Sequence, residues 1–572
     1  MSAKKTTKGL TRRNFLSQVG VAGGAAAVYE TMVAMGMINL PTAWAGPPQL
    51  NQESGNGQSV LILGAGIGGL TTAYILNQYG YRCKILEASH RAGGRNHTAR
   101  RGETVIEESQ ENGRTVQKCG FDSGLYINLG PGRLPYHHRR VLGYCKELGV
   151  ELEPYVMNTT GNLFQSDEGF SGEAVPYRNI QTDTRGFISE LLAKAVNQGA
   201  LDDELTSVDQ KHLLSMLKSF GNLGALDSDK PYAYQGSTRA GCSVDPDGRP
   251  TPNVLYSCEE TLAGDLADLL DSNFWNDSFY DQFEFEWQPT LFQPVGGMDK
   301  IVEGFLREVG HLIEYNAPVV EIENRADGVS VTYLQGNKKV TATADYCASN
   351  IPAPILSRII KDNVTFRPEF REAVAGSGFN ASCKVGWQTN NRFWEENPTD
   401  IYGGISWTND IIEQIWYPSN DYFSQKGTLT GAYIHDNPGA KNATLFGTYD
   451  LAKRLDVARA GGSKLHPEFK DEAIVPTDLA ISIAWQNVPY QEGAWPQWGD
   501  HQHHDKYYRE LLVGDGHFYV VGDQTSTLPG WQEGAMMSAE HVIALISGEM
   551  DRNHIPENIK APNTRKVTQG HG

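Results

Sequence analysis

The 572-residue chain is poor in cysteine pairs, in positive charge and in uninterrupted apolar sequence. Its seven cysteines are scattered, with no Cys-x-x-Cys pair. That excludes zinc ribbons and dithiol redox motifs, and leaves no readable disulfide framework. Cys83 and Cys347 stand in apolar, strand-like runs and read as buried thiols. Lys and Arg number 49 against 68 Asp and Glu, a formal net charge of −19. Such a surface repels nucleic acid and anionic membranes, so neither is an expected partner, and it favours solubility. No stretch of about 20 strongly apolar residues runs on without a charge or glycines, so no membrane span is expected. No Ser-His-Asp arrangement stands out, and no metal site is expected. His501, His503 and His504 read as a solvated loop.

What is present begins at Ser59. Residues 59–69 read Ser-Val-Leu-Ile-Leu-Gly-Ala-Gly-Ile-Gly-Gly, an apolar strand running into Gly64-Ala65-Gly66-Ile67-Gly68-Gly69. In a Gly-x-Gly-x-x-Gly turn the first glycine permits the tight bend. The second lets backbone approach a pyrophosphate, and the third lets the next helix pack on the strand. The unpaired N–H groups at that helix's start face the phosphates. A second strand ends in Glu87-Ala88, about twenty residues on, where an acid accepts hydrogen bonds from a ribose. The order strand, glycine turn, helix and acid points to a dinucleotide site.

Upstream, residues 11–16 read Thr-Arg-Arg-Asn-Phe-Leu, which resembles a twin-arginine export signal. A weakly apolar stretch from Val19 to Leu40 and a small-x-small site, Ala43-Trp44-Ala45, follow. The rival reading, a membrane anchor, is opposed by Glu30 and by the glycines. Cleavage after Ala45 and a periplasmic or extracellular destination are expected. Removing residues 1–45 takes away five basic residues and one acid, leaving a formal charge of about −23. Gly46 to Gln58 reads as a flexible lead-in. About 525 mature residues imply two or three domains.

Residues 137–150 and 180–222 carry helical spacing, and 225–253 is Gly-, Pro-, Asp- and Ser-rich and reads as loop. Phe292 to Lys300 opens a helix, and Pro318–Ile322 and Val329–Tyr333 alternate like strands. His517 to Asp523 is a buried strand, followed by Gly530-Trp531-Gln532-Glu533-Gly534-Ala535 and a helix to about Ile546.

Arg91-Ala92-Gly93-Gly94-Arg95 resembles the glycine doublet of the flavin amine oxidase superfamily, in which a loop passes close to the FAD pyrophosphate. With the 292–300 segment, Val319 and the Gly522-Asp523…Gly530-Trp531 segment, the resemblance runs from about residue 58 to 548, in the family's motif order. It implies an α/β fold of mixed α+β character. A Rossmann-like FAD-binding domain would join a substrate-binding domain built on a mixed sheet, with a helical insert. The implied FAD-binding segments are 55–118, 292–362 and 508–550. Residues 119–150 and 363–507 form the substrate domain, 151–291 the helical domain and 551–572 a polar tail.

The resemblance also implies site residues. Gly64, Ala65, Gly66, Ile67, Gly68, Gly69, Glu87, Ala88, Gly94, Arg95 and Val319 hold FAD, together with Gly130, Pro131, Gly132, Arg133, Gly522, Asp523, Trp531, Gln532 and Glu533. Leu528-Pro-Gly-Trp531 stands where mitochondrial monoamine oxidases carry a cysteine, so FAD is expected to be non-covalent. Gly130-Pro-Gly-Arg133-Leu-Pro resembles the segment of L-amino acid oxidases whose arginine pairs with the substrate carboxylate. This chain has Gly132 where those proteins usually have Met. A guanidinium grips a carboxylate through two parallel charge-assisted bonds. Tyr433 is the implied second carboxylate contact. The Gly530 carbonyl takes the amine, Trp531 walls the site, Trp416 and Tyr417 line the side-chain pocket, and Lys384 holds a water near the flavin. The implied activity is oxidative deamination of an L-amino acid by O2 to a 2-oxo acid, ammonia and H2O2, with hydride passing from Cα to flavin N5. Alternatives are an oxidative decarboxylase like tryptophan 2-monooxygenase, or an amine or polyamine oxidase. A homodimer is expected.

Overall fold

Three separated stretches of the chain build one parallel sheet, and its central strand carries the glycine turn. This computed structural model describes residues 44, 46–51, 54–276, 284–437, 439–498 and 502–562. The twin-arginine motif, Ala45, His501 and the end of the tail lie outside the described residues. Contacts divide the chain into Met1–Pro47 and Pro48–Gly572, and every helix and strand named below belongs to the second unit.

The parallel sheet runs Ile313–Glu314, Arg82–Leu86, Ser59–Leu63, Tyr346–Ser349, Phe518–Val520. Val60 to Leu63 are buried, because helix Ile67–Gln78 packs against this sheet and Leu61 and Leu63 share a core with Ile322, Val329 and Val331 of an antiparallel sheet, so both faces of the strand must be apolar. Helix Ile67–Gln78 starts directly behind the turn, and its N-cap, Gly66, makes no side-chain capping bond. Gly64 has φ +99°, open to glycine at little cost. A Cβ on Gly69 would stand 2.1 Å from the Gly64 carbonyl oxygen, so only glycine lets the helix pack this close. A three-stranded antiparallel sheet, Val319–Arg325, Gly328–Gln335 and Lys338–Ala344, lies beside this layer. Helix Gln532–Ile546 packs on helix Ile67–Gln78.

The second layer is a seven-stranded mixed sheet. Its order is Val175–Pro176, Leu163–Gln165, Ile405–Thr408, Gln414–Trp416, Gly427–His435, Ser382–Thr389, Ala480–Ala484. Strand Ser382–Thr389 is buried along its whole length, with Trp387 and Val385 in a core that includes Trp394, Phe446 and Phe469. Register sets Lys384 directly opposite Tyr433 on one side and Ile483 on the other.

Several expectations need correction. The segment 151–291 is not purely helical. Helices Tyr177–Asn197 and Ser207–Phe220 are there, but Leu163–Gln165 joins the mixed sheet and Leu152–Tyr155 pairs with Leu291–Pro294. Within 225–253, read as loop, Gly236–Cys242 forms a strand against Glu260–Leu262, and Cys242 is disulfide-bonded to Cys258. Cross-strand pairing, which brings residues 16 apart in sequence into contact, leaves no spacing motif. The other five cysteines are free and buried. Within the second unit the lead-in is docked rather than loose at Leu50 and Gly55. Leu50 is buried, and the Gly55 N–H donates to the Tyr79 carbonyl at 3.0 Å. His503 and His504 sit on helix Gln502–Val513, not on a loop. Among the described residues no helix is long and apolar enough to cross a membrane.

Candidate active site

A cavity of about 300 Å³ runs from the glycine turn to the mixed sheet. Gly64, Gly66, Ile67, Gly68, Glu87, Ala88, Gly94, Arg95 and Val319 line one end. Lys384, Tyr433, Gly530 and Trp531 line the other. A smaller cavity of about 80 Å³ shares Gly130, Pro131, Tyr433, Gly530 and Trp531 with it, and adds Gly132, Arg133, His138 and Trp416. The fold thus brings together nearly all the residues singled out in the sequence.

The nucleotide end is a cradle of bare backbone. A Cβ on Gly66 would meet the Asn350 amide at 2.4 Å, and one on Gly130 would meet the Arg95 carbonyl oxygen at 1.9 Å. Glu87 accepts from the Ala65 N–H at 2.7 Å and, through its other oxygen, from Ser89 N–H and Oγ at 2.9 and 2.8 Å. Ala65 therefore shapes the site by orienting Glu87. The oxygen bound by the Ala65 N–H alone retains a lone-pair direction for a further donor. An uncapped helix start, glycine walls and an oriented acid fit the phosphate and ribose of a dinucleotide.

Some expected contacts are placed differently. Asp523 lines the cavity, but Arg95 grips its carboxylate from both guanidinium nitrogens, and the Gly530 N–H donates to it at 2.8 Å. It ties the glycine-doublet loop to the Gly530 turn rather than pointing free into the cavity. Gly522 (φ +113°) and Gly69 lie behind the wall as packing positions. Glu533 does not face the cavity. Its carboxylate accepts from the Val141 N–H at 3.0 Å and the Arg140 N–H at 3.2 Å, at the N-terminus of helix Arg139–Glu147, where an anion is favoured. One helical step of about 100° from Gln532, which does line the cavity, turns Glu533 onto that neighbour.

The substrate end is cationic, and both of its cations, Lys384 and Arg133, are buried. Lys384 is buried, and its Nζ donates to the carbonyl oxygens of Gly130 at 2.6 Å and Asn128 at 3.3 Å. Burial, with the nearby Arg133 charge, pushes its pKa down to about 7. Its Nζ sits 4.6 Å from the Trp416 ring centre and 4.7 Å from that of Tyr433. Burial raises the Tyr433 phenol to about 12 against the opposing pull of Arg133, so the hydroxyl stays a donor at neutral pH. The Arg133 guanidinium carbon lies 3.5 Å from the ring centre of Trp287, 5.0 Å from Trp416 and 5.6 Å from Trp531. Indole faces favour cations and fix the guanidinium plane.

Sequence reasoning missed Trp287, Asn350 and Trp495. Trp287 stands in the short turn Phe285–Trp287, where nothing periodic marks it. Trp495 lines both cavities. Gly132 gains a reason: a Cβ there would meet the Trp416 ring at 2.6 Å, so the glycine makes room for that indole. Tyr417 lies elsewhere, buried against Ser406 and His466.

The chain is similar to known proteins along most of its length. The chain is 24% identical over 507 residues to an L-amino-acid oxidase of Echis ocellatus, covering 85% of this chain and 88% of that one. It is 24% identical over 499 residues to the flavin-dependent L-tryptophan oxidase RebO of Lentzea aerocolonigenes, covering 84% and 96%. Among solved structures, putrescine oxidase bound to putrescine aligns with a TM-score of 0.53 at 16% identity, covering 86% of this chain and 99% of that one. That likeness concerns the fold. The profile of the flavin containing amine oxidoreductases matches residues 67–544, and the chain belongs to that family.

Proposed function

We propose that the protein is an FAD-dependent L-amino acid oxidase that binds FAD non-covalently. The observation that carries this reading is Arg133, buried among Trp287, Trp416 and Trp531 and close enough to Lys384 to depress its pKa. A buried, fixed guanidinium selects a carboxylate, whereas a simple amine would bring a further cation. The two relatives that oxidise L-amino acids support the same choice over the amine oxidases.

When bound, FAD supplies the two-electron oxidation of the substrate Cα–N bond, with O2 as final acceptor. The chain's own residues orient and exclude. Arg133 and the Tyr433 hydroxyl hold the carboxylate, the Gly530 carbonyl accepts from the amine, and Trp531 and Trp416 wall the substrate from water. Lys384 Nζ, near neutrality, exchanges a proton at the floor of the cavity. Gly64–Gly69, Glu87, Gly94 and Val319 would hold the nucleotide. The flavin half is read as 55–118, 292–362 and 508–550, the substrate half as 119–150 and 363–507. Twin-arginine export and a homodimer complete the reading.

The experiment is product analysis with L-phenylalanine, L-leucine, L-glutamine and L-lysine. Peroxide, ammonia and a 2-oxo acid in equal amounts are expected. An amide with carbon dioxide would instead make the protein an oxidative decarboxylase.

A further inference from the structure

The sequence suggests no metal ligands, yet the fold brings three donor groups together beside the substrate cavity. His137 and His138 precede helix Arg139–Glu147, and Glu286 lies in the turn Phe285–Trp287. One carboxylate oxygen of Glu286 stands 2.5 Å from His138 Nε2 and 3.1 Å from His137 Nε2. All three donor atoms lie within 4.8 Å of one another.

We propose that His137, His138 and Glu286 form a binding site for one divalent transition ion of the zinc class. Two imidazoles and a carboxylate are a usual donor set for Zn2+, which leaves a fourth position to water. A tetrahedral ion with bonds of about 2.0–2.1 Å keeps its donors roughly 3.3–3.4 Å apart, within the spread seen here. The two rings stand at 85° with centres 4.9 Å apart, so their nitrogens converge on the oxygen from different directions. Both rings are also held by packing. Phe285 stacks on His137 at 4.0 Å, and Trp531 meets His138 edge-on at 4.9 Å. Packing of this kind fixes ligand orientation before an ion arrives. The His138 side chain is 1% exposed, while those of His137 and Glu286 are 15% and 22% exposed, which leaves the ion a route from solvent.

The site has a consequence for the fold around it. Glu286 adjoins Trp287, the indole stacked on Arg133. An ion here would pin the turn that carries Trp287 to the segment that carries Arg133. The site lies outside the groups assigned to substrate and FAD, so metal stoichiometry reports on it independently of the oxidase reading.

The test is zinc titration of the chelator-stripped full protein by calorimetry, with bound zinc counted after gel filtration. His137→Gln and Glu286→Gln are compared with the wild type, since both side chains are partly exposed and their loss leaves the core intact. Thermal melting without zinc checks that each variant is folded. The expected result is one zinc per wild-type chain, with affinity weakened more than about tenfold in each variant. Zinc should also raise the melting temperature of the wild type more than that of either variant. No saturable zinc binding, or binding undiminished in both folded variants, overturns the proposal. In the second case the ion sits elsewhere, for example at His503 and His504.

Discussion

Replacing Lys384 by Met tests the burial of a cation at the cavity floor. A lysine ordinarily titrates at 10.5, and burial with the Arg133 charge pushes Lys384 to about 7. Between those values the unfolded chain holds a proton that the folded protein has released. Stability is therefore highest above the unfolded value, falls as pH drops toward the folded value, and is flat below it. At 1.36 kcal/mol per pH unit, the whole span is worth about 5 kcal/mol, and the range from about pH 9.5 to 7 about 3 kcal/mol. Lys384→Met removes this dependence. It also strips two carbonyls of a donor, those of Gly130 and Asn128. That loss, about 1–3 kcal/mol each where water cannot replace the lysine, hardly varies with pH. The informative quantity is thus the change with pH of the difference between variant and wild type. Unfolding about 525 residues carries an entropy of roughly 1 kcal/mol per kelvin, so the variant should gain about 3 °C on the wild type between about pH 9.5 and 7. Melting of cofactor-free protein by calorimetry reads this, with cooperativity checked at each pH. Wild-type and variant curves that run parallel across that range would refute the reasoning.

Gly132→Met should drive the Trp416 ring from its place, since even a Cβ there meets the ring at 2.6 Å. Overpacking of about 1–3 kcal/mol should lower kcat/KM about ten- to a hundredfold for bulky L-amino acids and shift the ranking of substrates, read by peroxide release. The Cys242–Cys258 bond closes a short loop in an exposed hairpin. Cys242→Ser with Cys258→Ser should cost about 3 kcal/mol on the chain-entropy account if that hairpin unfolds with the core, read by melting. Thiol mapping of the protein denatured without reductant should find two of the seven cysteines blocked and five reactive.

The nucleotide end is legible in the sequence because its chemistry is contiguous. Gly64 to Gly69 and Glu87 need only a strand, a turn and a helix to become a cradle, and those local signals agree. The substrate end is assembled across the fold. That Lys384 faces Tyr433 depends on strand register, which no local pattern in either segment fixes. Trp287 reaches Arg133 from a non-periodic turn far along the chain. Glu533 departs from the expected role for a geometric reason: its neighbour Gln532 faces the cavity, and adjacent residues on a helix point in different directions. The strand at Gly236–Cys242 is hidden by a composition typical of loops, and pairing with Glu260–Leu262 overrides it.

The central claim is that Arg133 selects a carboxylate, and anaerobic flavin bleaching tests it most directly. L-phenylalanine and phenethylamine, which differ by that carboxylate, are mixed with wild type and with Arg133→Met. Wild type should be bleached rapidly by the amino acid and not by the amine. Two charge-assisted bonds of about 1.5–3 kcal/mol each should make the variant about 10²- to 10⁴-fold less efficient toward the amino acid. Rapid bleaching of wild type by phenethylamine, or an Arg133→Met variant as fast as wild type toward any L-amino acid that bleaches the wild type, would contradict it.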